Sequence, residues 1–210
     1  MNRRIVLWRH GRTEWNVGGR VQGQSDIPLD SVGHEQAASA AARLATLKPS
    51  RIVSSDLMRA HDTAKTLADL VGLEVELEPR FREMNFGVRE GLTVREAWAQ
   101  FPEVMRTWGR IPEARIPGGE TYAETGDRFA TGMRRLVSTM ELSETVVVVS
   151  HGAALRTGIC TFLGIPQDLW QTFGGFNNCS WTTLDERHTG WRISEWNAGT
   201  LPEPVLSDDE

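Results

Sequence analysis

The residues of this chain best suited to chemistry sit where runs of apolar residues stop. Arg9-His10-Gly11 follows Ile5 to Trp8, Ser54-Ser55 leads on to Arg59 after Ile52-Val53, and Ser150-His151-Gly152 follows Val146 to Val149. An arginine and a histidine at the end of a buried strand make a poor core and a good anion site, and the glycine after them lets the backbone turn or approach a ligand closely. His10 is the candidate nucleophile and Arg9 its phosphate clamp. Taken alone, a histidine in such a place is more often a hydrogen-bonded turn residue. A compositional bias weakens the arginine further, since all but Lys48 and Lys65 of the 23 basic residues are arginine. The recurrence of His-Gly after both of the most apolar runs shifts the balance toward chemistry.

That chemistry is phosphoryl transfer to an imidazole. A neutral histidine nitrogen is nucleophilic near physiological pH when its other nitrogen donates to a fixed acceptor. Arg9 and Arg59 can hold the equatorial oxygens by paired hydrogen bonds, and a protonated His151 adds a third cation as charge develops. With three cations, no metal or other cofactor is called for. The leaving alcohol needs a proton, for which Glu83 is the best placed carboxyl. Flanked by Phe81, Met84 and Phe86, it can be desolvated and raised in pKa. The alternative, a surface carboxylate paired to Arg80 or Arg82, stays open on local sequence.

The elements that must position these groups follow from periodicity. Ile5–Trp8, Ile52-Val53 and Val146–Val149 read as strands buried on both faces, with a weaker strand at Glu74–Leu77 near an edge. Asp30 is a plausible N-cap for a helix with Ala37, Ala41 and Leu44 on one face. A second helix carries Ala60, Ala64, Leu67 and Val71 and ends at Gly72. A third begins near Tyr122, with Phe129, Met133, Leu136, Val137 and Met140 inward, and a fourth follows Gly152. A short helix is expected at Asp168–Phe173. Ser180–Leu184 and Trp191–Trp196 read as strands of a hairpin joined through Asp185–Gly190. Strands alternating with helices give an α/β fold with a mostly parallel central sheet and helices on both faces. If the three buried runs are parallel, their carboxyl ends share the sheet edge where such folds bind ligands.

One domain spanning 1–210 is expected, with a cap insertion at about 84–120 and an extended tail at about 199–210. The stretch from Glu90 to Glu120 is punctuated by Gly, Pro and Trp, with one short helical piece at Val94–Gln100. The net charge of -5 argues against a nucleic-acid partner. The N-terminus lacks the apolar segment of a signal peptide and no run is long enough to span a bilayer, so a cytoplasmic protein without membrane contact is expected. Cys160 in a helix and Cys179 in a strand fit reduced buried thiols. The five histidines show no paired ligand spacing, and no metal site is expected. His34, His61 and His188 read as solvated or structural. The aromatic-rich hairpin makes a homodimer possible.

These motifs together carry a resemblance. Leu7-Trp8-Arg9-His10-Gly11 with Asn16, Ser54 to Ala60 with Thr63-Ala64, Arg82-Glu83 with Phe86-Gly87 and Glu90-Gly91, Gly118-Gly119-Glu120, and Ser150-His151-Gly152 resemble, in order, the histidine phosphatase superfamily, also called phosphoglycerate-mutase-like. The resemblance implies a three-layer α/β/α sandwich, phosphorylation of His10, a phosphate pocket of Arg9, Arg59 and His151, and Glu83 as proton donor. Asn16 and Gln22 match positions that line the phosphate pocket in relatives, and Gly11 and Gly152 are expected to bind substrate beside them. Val17-Gly18, Gln22-Gly23-Gln24, Asn178 to Thr182, Trp191-Arg192-Ile193 and Trp196-Asn197-Ala198 are similar to the branch that acts on glucosyl-3-phosphoglycerate.

The expectation is a phosphomonoester hydrolase of a small phosphorylated metabolite, working through phosphohistidine without a cofactor. A phosphoglycerate mutase of the same family and a non-catalytic phosphate-binding module are the rivals. One position departs from the pattern: Arg12 stands where the superfamily usually has Glu or Gln. It either binds a second acidic group of the substrate, which is the reading favoured here, or points to solvent.

Overall fold

A computed structural model describes residues 2–108 and 114–199. The end of the expected tail, 200–210, and part of the expected cap, 109–113, lie outside the described residues. The strands are β1 (Arg4–Arg9), β2 (Arg51–Ser54), β3 (Val75–Leu77), β4 (Thr145–Ser150), β5 (Trp181–Arg187) and β6 (Gly190–Ala198). They form one sheet in the order β3-β2-β4-β1-β5-β6. The first four are mutually parallel, and β5 and β6 run antiparallel at one edge. The fold is thus the expected mixed α/β arrangement with a mostly parallel sheet, and the weak strand β3 lies at the other edge.

The central strands are apolar at successive positions because both faces are covered. Ile5, Leu7, Val146 and Val148 pack with Phe129, Met133, Leu155 and Ile159 of α6 (Tyr122–Thr139) and α7 (Gly152–Leu163). On the opposite face, Val6, Trp8, Val147 and Val149 meet Ala37, Ala41, Leu44, Ala60, Ala64 and Leu67 of α2 (Ser31–Ala45) and α3 (Met58–Val71). These helix positions are the inner faces expected from spacing. The alternation of partners along β1 and β4 is the period-two geometry of a strand, which here sends each consecutive apolar residue to a different layer.

Helix ends follow the sequence signals. Asp30 accepts a hydrogen bond from the Gly33 amide at 2.7 Å as N-cap of α2. Gly72 closes α3 in the left-handed region at φ 72. A short helix α1 (Glu14–Val17) opens with a capping box between Thr13 and Asn16, inside a segment whose remainder is irregular as expected.

Three local expectations are corrected. The cap segment holds a second helix, α5 (Pro102–Thr107), beside α4 (Val94–Gln100). Pro102 does not break structure there but sits at the first helical position, where its missing N–H costs nothing. The hairpin connection shrinks from Asp185–Gly190 to His188-Thr189, because the polar residues that read as loop are paired within the ladder. Asp185 accepts from Arg4 at 2.8 Å and from Ser194 at 2.6 Å. Cys179 lies in a turn before β5 at φ 57, not in a strand. Both cysteines are free and buried. No helix among the described residues is long and apolar enough to cross a membrane.

The crossing of α6 and α7 depends on glycine. A Cβ on Gly158 would lie 2.1 Å from Cδ1 of Phe129, a fully buried ring. Alanine normally favours a helix over glycine by about 1 kcal/mol, yet overpacking a core costs ~1–3 kcal/mol. Gly158→Ala is therefore expected to lower the urea midpoint of unfolding, and an unchanged or raised midpoint would show that the two helices separate freely.

Candidate active site

Register alone assembles the first part of the site. Arg9 pairs with Ser150 across β1 and β4, and Ser54 pairs with Val149 across β2 and β4. Ladder-like bonds continue past the strand ends, from the His10 amide to Ser150 O at 3.0 Å and from the Ser55 amide to Val149 O at 2.9 Å. Since β4 lies between β1 and β2, His151 is held between His10 and Ser55. The two imidazole centroids are 5.1 Å apart, and His151 Nε2 meets Ser55 Oγ at 2.9 Å. The expected convergence of the three carboxyl ends is found.

His10 is buried and oriented. Its Nδ1 lies 2.7 Å from Gly11 O, and a carbonyl can only accept, so Nδ1 carries the proton and Nε2 keeps its lone pair. Burial, then the positive charges of Arg59 and Arg9, hold its pKa well below the usual imidazole range. His151 is pushed down in the same way, by burial first and then by Arg59, His10 and Arg9. The charges that surround it favour the neutral ring, so the third cation expected from sequence depends on proton uptake as charge develops. His151 is not among the residues that line the cavity described below.

Arg59, in the first turn of α3, has no exposed surface. Its two terminal nitrogens donate to Ser25 O at 2.8 Å and Gly23 O at 2.7 Å. Burial lowers its pKa to about 10, so it remains a cation at neutral pH. The loop supplying those carbonyls is tied down by a residue that the sequence placed only within a motif. Glu90 accepts from the amides of Gln24, Ser25 and Phe86 and from Ser25 Oγ, at 2.9, 3.0, 3.2 and 2.7 Å. Gly23, at φ +55, lies so close to this carboxylate that a Cβ would fall 2.0 Å from Oε1. Gln22, on the same loop, is buried and lines the cavity. Arg9 donates to Phe176 O.

Glu83 is buried too, and the alternative reading of it fails. Arg80 pairs with Glu78 and Arg82 with Asp56. Glu83 instead accepts from the amides of Met84 and Ala154 at 2.8 and 2.9 Å and from Ala153 at 3.3 Å, two of these at the start of α7. Its pKa is raised because desolvation outweighs those bonds and the charges of Arg59 and Arg9. Its backbone is fixed by Arg128, which donates to the carbonyls of Arg80, Arg82 and Glu83 and is itself held by both oxygens of Glu120 at 2.9 Å. This explains the Gly118-Gly119-Glu120 motif, for a Cβ on Gly119 would sit 2.5 Å from Asn85 O.

These groups open on one cavity of about 240 Å³. Arg9, His10, Gln22, Gly23, Arg59, Glu83 and Gly152 line its inner part. The rest of the wall includes Phe86, Arg89, Trp108, Tyr122, Arg156 and Phe176, none of which was singled out as a site residue from sequence. Only Arg156 carried a usable signal, since it stands four residues after Gly152 and so on the same helical face. Two expected binders lie elsewhere. Gly11 is packed against α2, where a Cβ would meet Gly33 O at 2.4 Å. Asn16 completes the capping box of α1, its Oδ1 accepting from the Thr13 amide and from Asn178. Arg12 takes neither expected course: it donates to Asp30 Oδ2 at 2.8 Å, bracing the N-cap of α2, and is absent from the lining.

Among the described residues no group of three or more His, Cys, Asp or Glu is arranged to hold a metal. The arrangement can seat a phosphoryl group between Arg9 and Arg59, within reach of an unprotonated imidazole nitrogen and a desolvated carboxyl whose pKa is raised.

Comparison with known proteins agrees in kind. The model of the histidine phosphatase superfamily (branch 1) matches residues 5–199. A glucosyl-3-phosphoglycerate phosphatase of Mycolicibacterium vanbaalenii is 38% identical over 213 residues, covering 93% of this chain and 95% of that protein. A probable phosphoglycerate mutase GpmB of Yersinia enterocolitica is 38% identical over 199 residues, covering 91% and 89%. The solved structure of mycobacterial glucosyl-3-phosphoglycerate phosphatase in complex with VO3 superposes with a TM-score of 0.88 at 37% identity, covering 94% of this chain and all of that one.

Removal of the Glu90 carboxylate should loosen the Gly23–Ser25 carbonyls and, through them, Arg59. Glu90→Ala is expected to weaken binding of inorganic phosphate by roughly tenfold, about 1.4 kcal/mol, with Glu90→Gln intermediate. Calorimetric titration checks this, and wild-type affinity in the alanine variant would detach Glu90 from the anion site.

Proposed function

Because the chain belongs to the histidine phosphatase superfamily (branch 1), and is a phosphatase of that family, we propose that it hydrolyses a phosphoglycerate ester, glucosyl-3-phosphoglycerate, through a phosphohistidine at His10. The relatives named for that substrate, similar along nearly their whole length, support the choice of ester. The observation that carries the mechanism is the pairing of an imidazole whose Nδ1 is locked to Gly11 O with a desolvated Glu83 on the wall of the same cavity.

In the first step the His10 Nε2 lone pair attacks phosphorus as the ester P–O bond breaks, and the leaving oxygen takes the proton of Glu83. Arg9 and Arg59 hold the equatorial oxygens and face the developing negative charge. The Nδ1–H bond to Gly11 O strengthens as the ring becomes cationic. In the second step water attacks phosphorus, Glu83 takes its proton, and the P–N bond breaks to return His10 to its neutral form with release of phosphate. A dianionic phosphate beside His10, whose ring centroid is 5.1 Å from that of His151, offsets the guanidinium charges that keep His151 neutral, so protonation there is coupled to occupancy of the site.

A second reading, transfer of the phosphoryl group to another hydroxyl of the substrate, is favoured by the similarity to the probable phosphoglycerate mutases. Release of free phosphate without added bisphosphoglycerate separates the two. The reading includes a cytoplasmic enzyme, supported by two free buried thiols, and a homodimer paired at the sheet edge formed by β6, which sedimentation tests.

His10→Ala should lower turnover of any ester by at least about a thousandfold with the fold intact by circular dichroism, and more than a tenth of wild-type activity would refute the phosphohistidine route. Glu83→Gln should slow an alkyl phosphate by ~10²–10⁴ and an aryl phosphate much less. Equal losses would remove Glu83 from the donor role. The lowered pKa of His10 and the raised pKa of Glu83 give a bell-shaped kcat/KM. Activity falls on the acid side as His10 protonates, below the usual imidazole range, and on the alkaline side as Glu83 ionises, above the usual carboxylate range. In Glu83→Gln the alkaline limb should disappear.

A further inference from the structure

Among the described residues, four arginines, Arg9, Arg59, Arg89 and Arg156, and the carboxylate of Glu83 line the cavity, twice the two guanidinium groups that grip the phosphoryl group in the steps above. Arg9 and Arg59 belong to the inner end, where they act on His10, His151 and Glu83. The other two lie outside that set. Arg156 is 6% exposed and stands on α7 one turn beyond Gly152, whose Cβ position is 3.6 Å from the Arg9 guanidinium carbon. Four residues along a helix is about 6 Å on the same face. Arg89 is 1% exposed, with its guanidinium carbon 4.1 Å from the centroid of Trp108 and 5.9 Å from that of Phe86.

Such positions are demanding for a cation. A guanidinium over an aromatic face is stabilised there while keeping its N–H donors for hydrogen bonding. A guanidinium fork matches a carboxylate in two parallel hydrogen bonds, a geometry that an ammonium lacks. Two nearly buried arginines on the wall of a cavity whose inner end already has its own phosphate grip favour a ligand with a second, planar anionic group.

Resting on the phosphoglycerate reading above, we infer that Arg89 and Arg156 form a second anion subsite that takes the carboxylate of the substrate while Arg9 and Arg59 hold its phosphate. In a 3-phosphoglycerate ester the carboxyl carbon is four bonds from phosphorus, a separation comparable to the one helical turn between Gly152 and Arg156. The second acidic group expected from sequence to meet Arg12 is thus assigned to residues of the cap segment and of α7. Recognition of this kind acts on substrate affinity rather than on the chemical step, because the carboxylate does not change charge as the P–O bond breaks.

The test compares 3-phosphoglycerate, glycerol 3-phosphate and p-nitrophenyl phosphate with the wild type and with Arg89→Gln, Arg156→Gln, Arg89→Lys and Arg156→Lys, each checked for folding by thermal unfolding. Either glutamine variant should raise KM for 3-phosphoglycerate by ~10–100-fold with a smaller change in kcat, the loss of one charge-assisted pair. The accompanying loss on the two carboxylate-free esters should be at least tenfold smaller, and the lysine variants should recover part of the affinity. Equal losses on all three esters, or none on 3-phosphoglycerate, would overturn the subsite. If the wild type hydrolyses p-nitrophenyl phosphate but neither 3-phosphoglycerate nor glucosyl-3-phosphoglycerate, the substrate reading falls by itself. The subsite then stands or falls on inhibition of p-nitrophenyl phosphate hydrolysis: 3-phosphoglycerate must inhibit more strongly than glycerol 3-phosphate, and the glutamine variants must erase that difference.

Discussion

The register of three parallel strands is the constraint from which the site follows. Because β4 lies between β1 and β2 and the ladder continues past the last strand residue, the backbone sets His10, His151 and Ser55 side by side before any side chain exerts a preference. A slip of one residue in β1 would exchange the layers into which Leu7 and Trp8 point and turn His10 away from its partner. The fully buried β1 and β4 make such a slip expensive, since every apolar residue from Ile5 to Trp8 and from Val146 to Val149 has a packed environment to lose. Core packing and catalytic geometry are therefore one specification.

Burial does the electrostatic tuning. It drives two imidazoles toward neutrality and a carboxyl toward its protonated form, shifts of opposite direction from a single cause. The buried arginines reinforce the first effect and oppose the second. Arg59 tolerates its desolvation because two carbonyl oxygens replace lost water, and the loop carrying them is fastened by Glu90. Glu83 is fastened from the other side, by the α7 amides and by the Arg128–Glu120 pair gripping the chain around it. Each reacting group thus has a dedicated brace, and the braces come from loops whose glycines admit them.

Much of this was legible in the residues. Continuous apolar runs marked strands covered on both faces, and the His-Gly pairs after two of them marked the ligand edge, because both signals are local. Glu83 needed the fold to decide its role: the competing carboxylates Glu78 and Asp56 that release it from Arg80 and Arg82 are identified only by packing. Arg12 misled for the same reason, its partner Asp30 being on a different element. The helix that opens at Pro102 went unseen in a stretch read as punctuated by Gly, Pro and Trp, because a proline at the start of a helix and one in a loop look alike until the following turn is seen. Arg89 and Trp108 were invisible as a pair, since nineteen positions separate the guanidinium from the ring it lies over.

The hydrogen bond from His10 Nδ1 to Gly11 O also dictates a regiochemistry. An imidazole can carry phosphorus on either nitrogen, and with Nδ1 committed to a peptide carbonyl one isomer alone is open to the reaction proposed above, the adduct on Nε2. A phosphoramidate of that kind withstands alkali and decays in acid. A stalled intermediate would survive alkaline denaturation and vanish under the acidic precipitation commonly used to trap phosphoproteins.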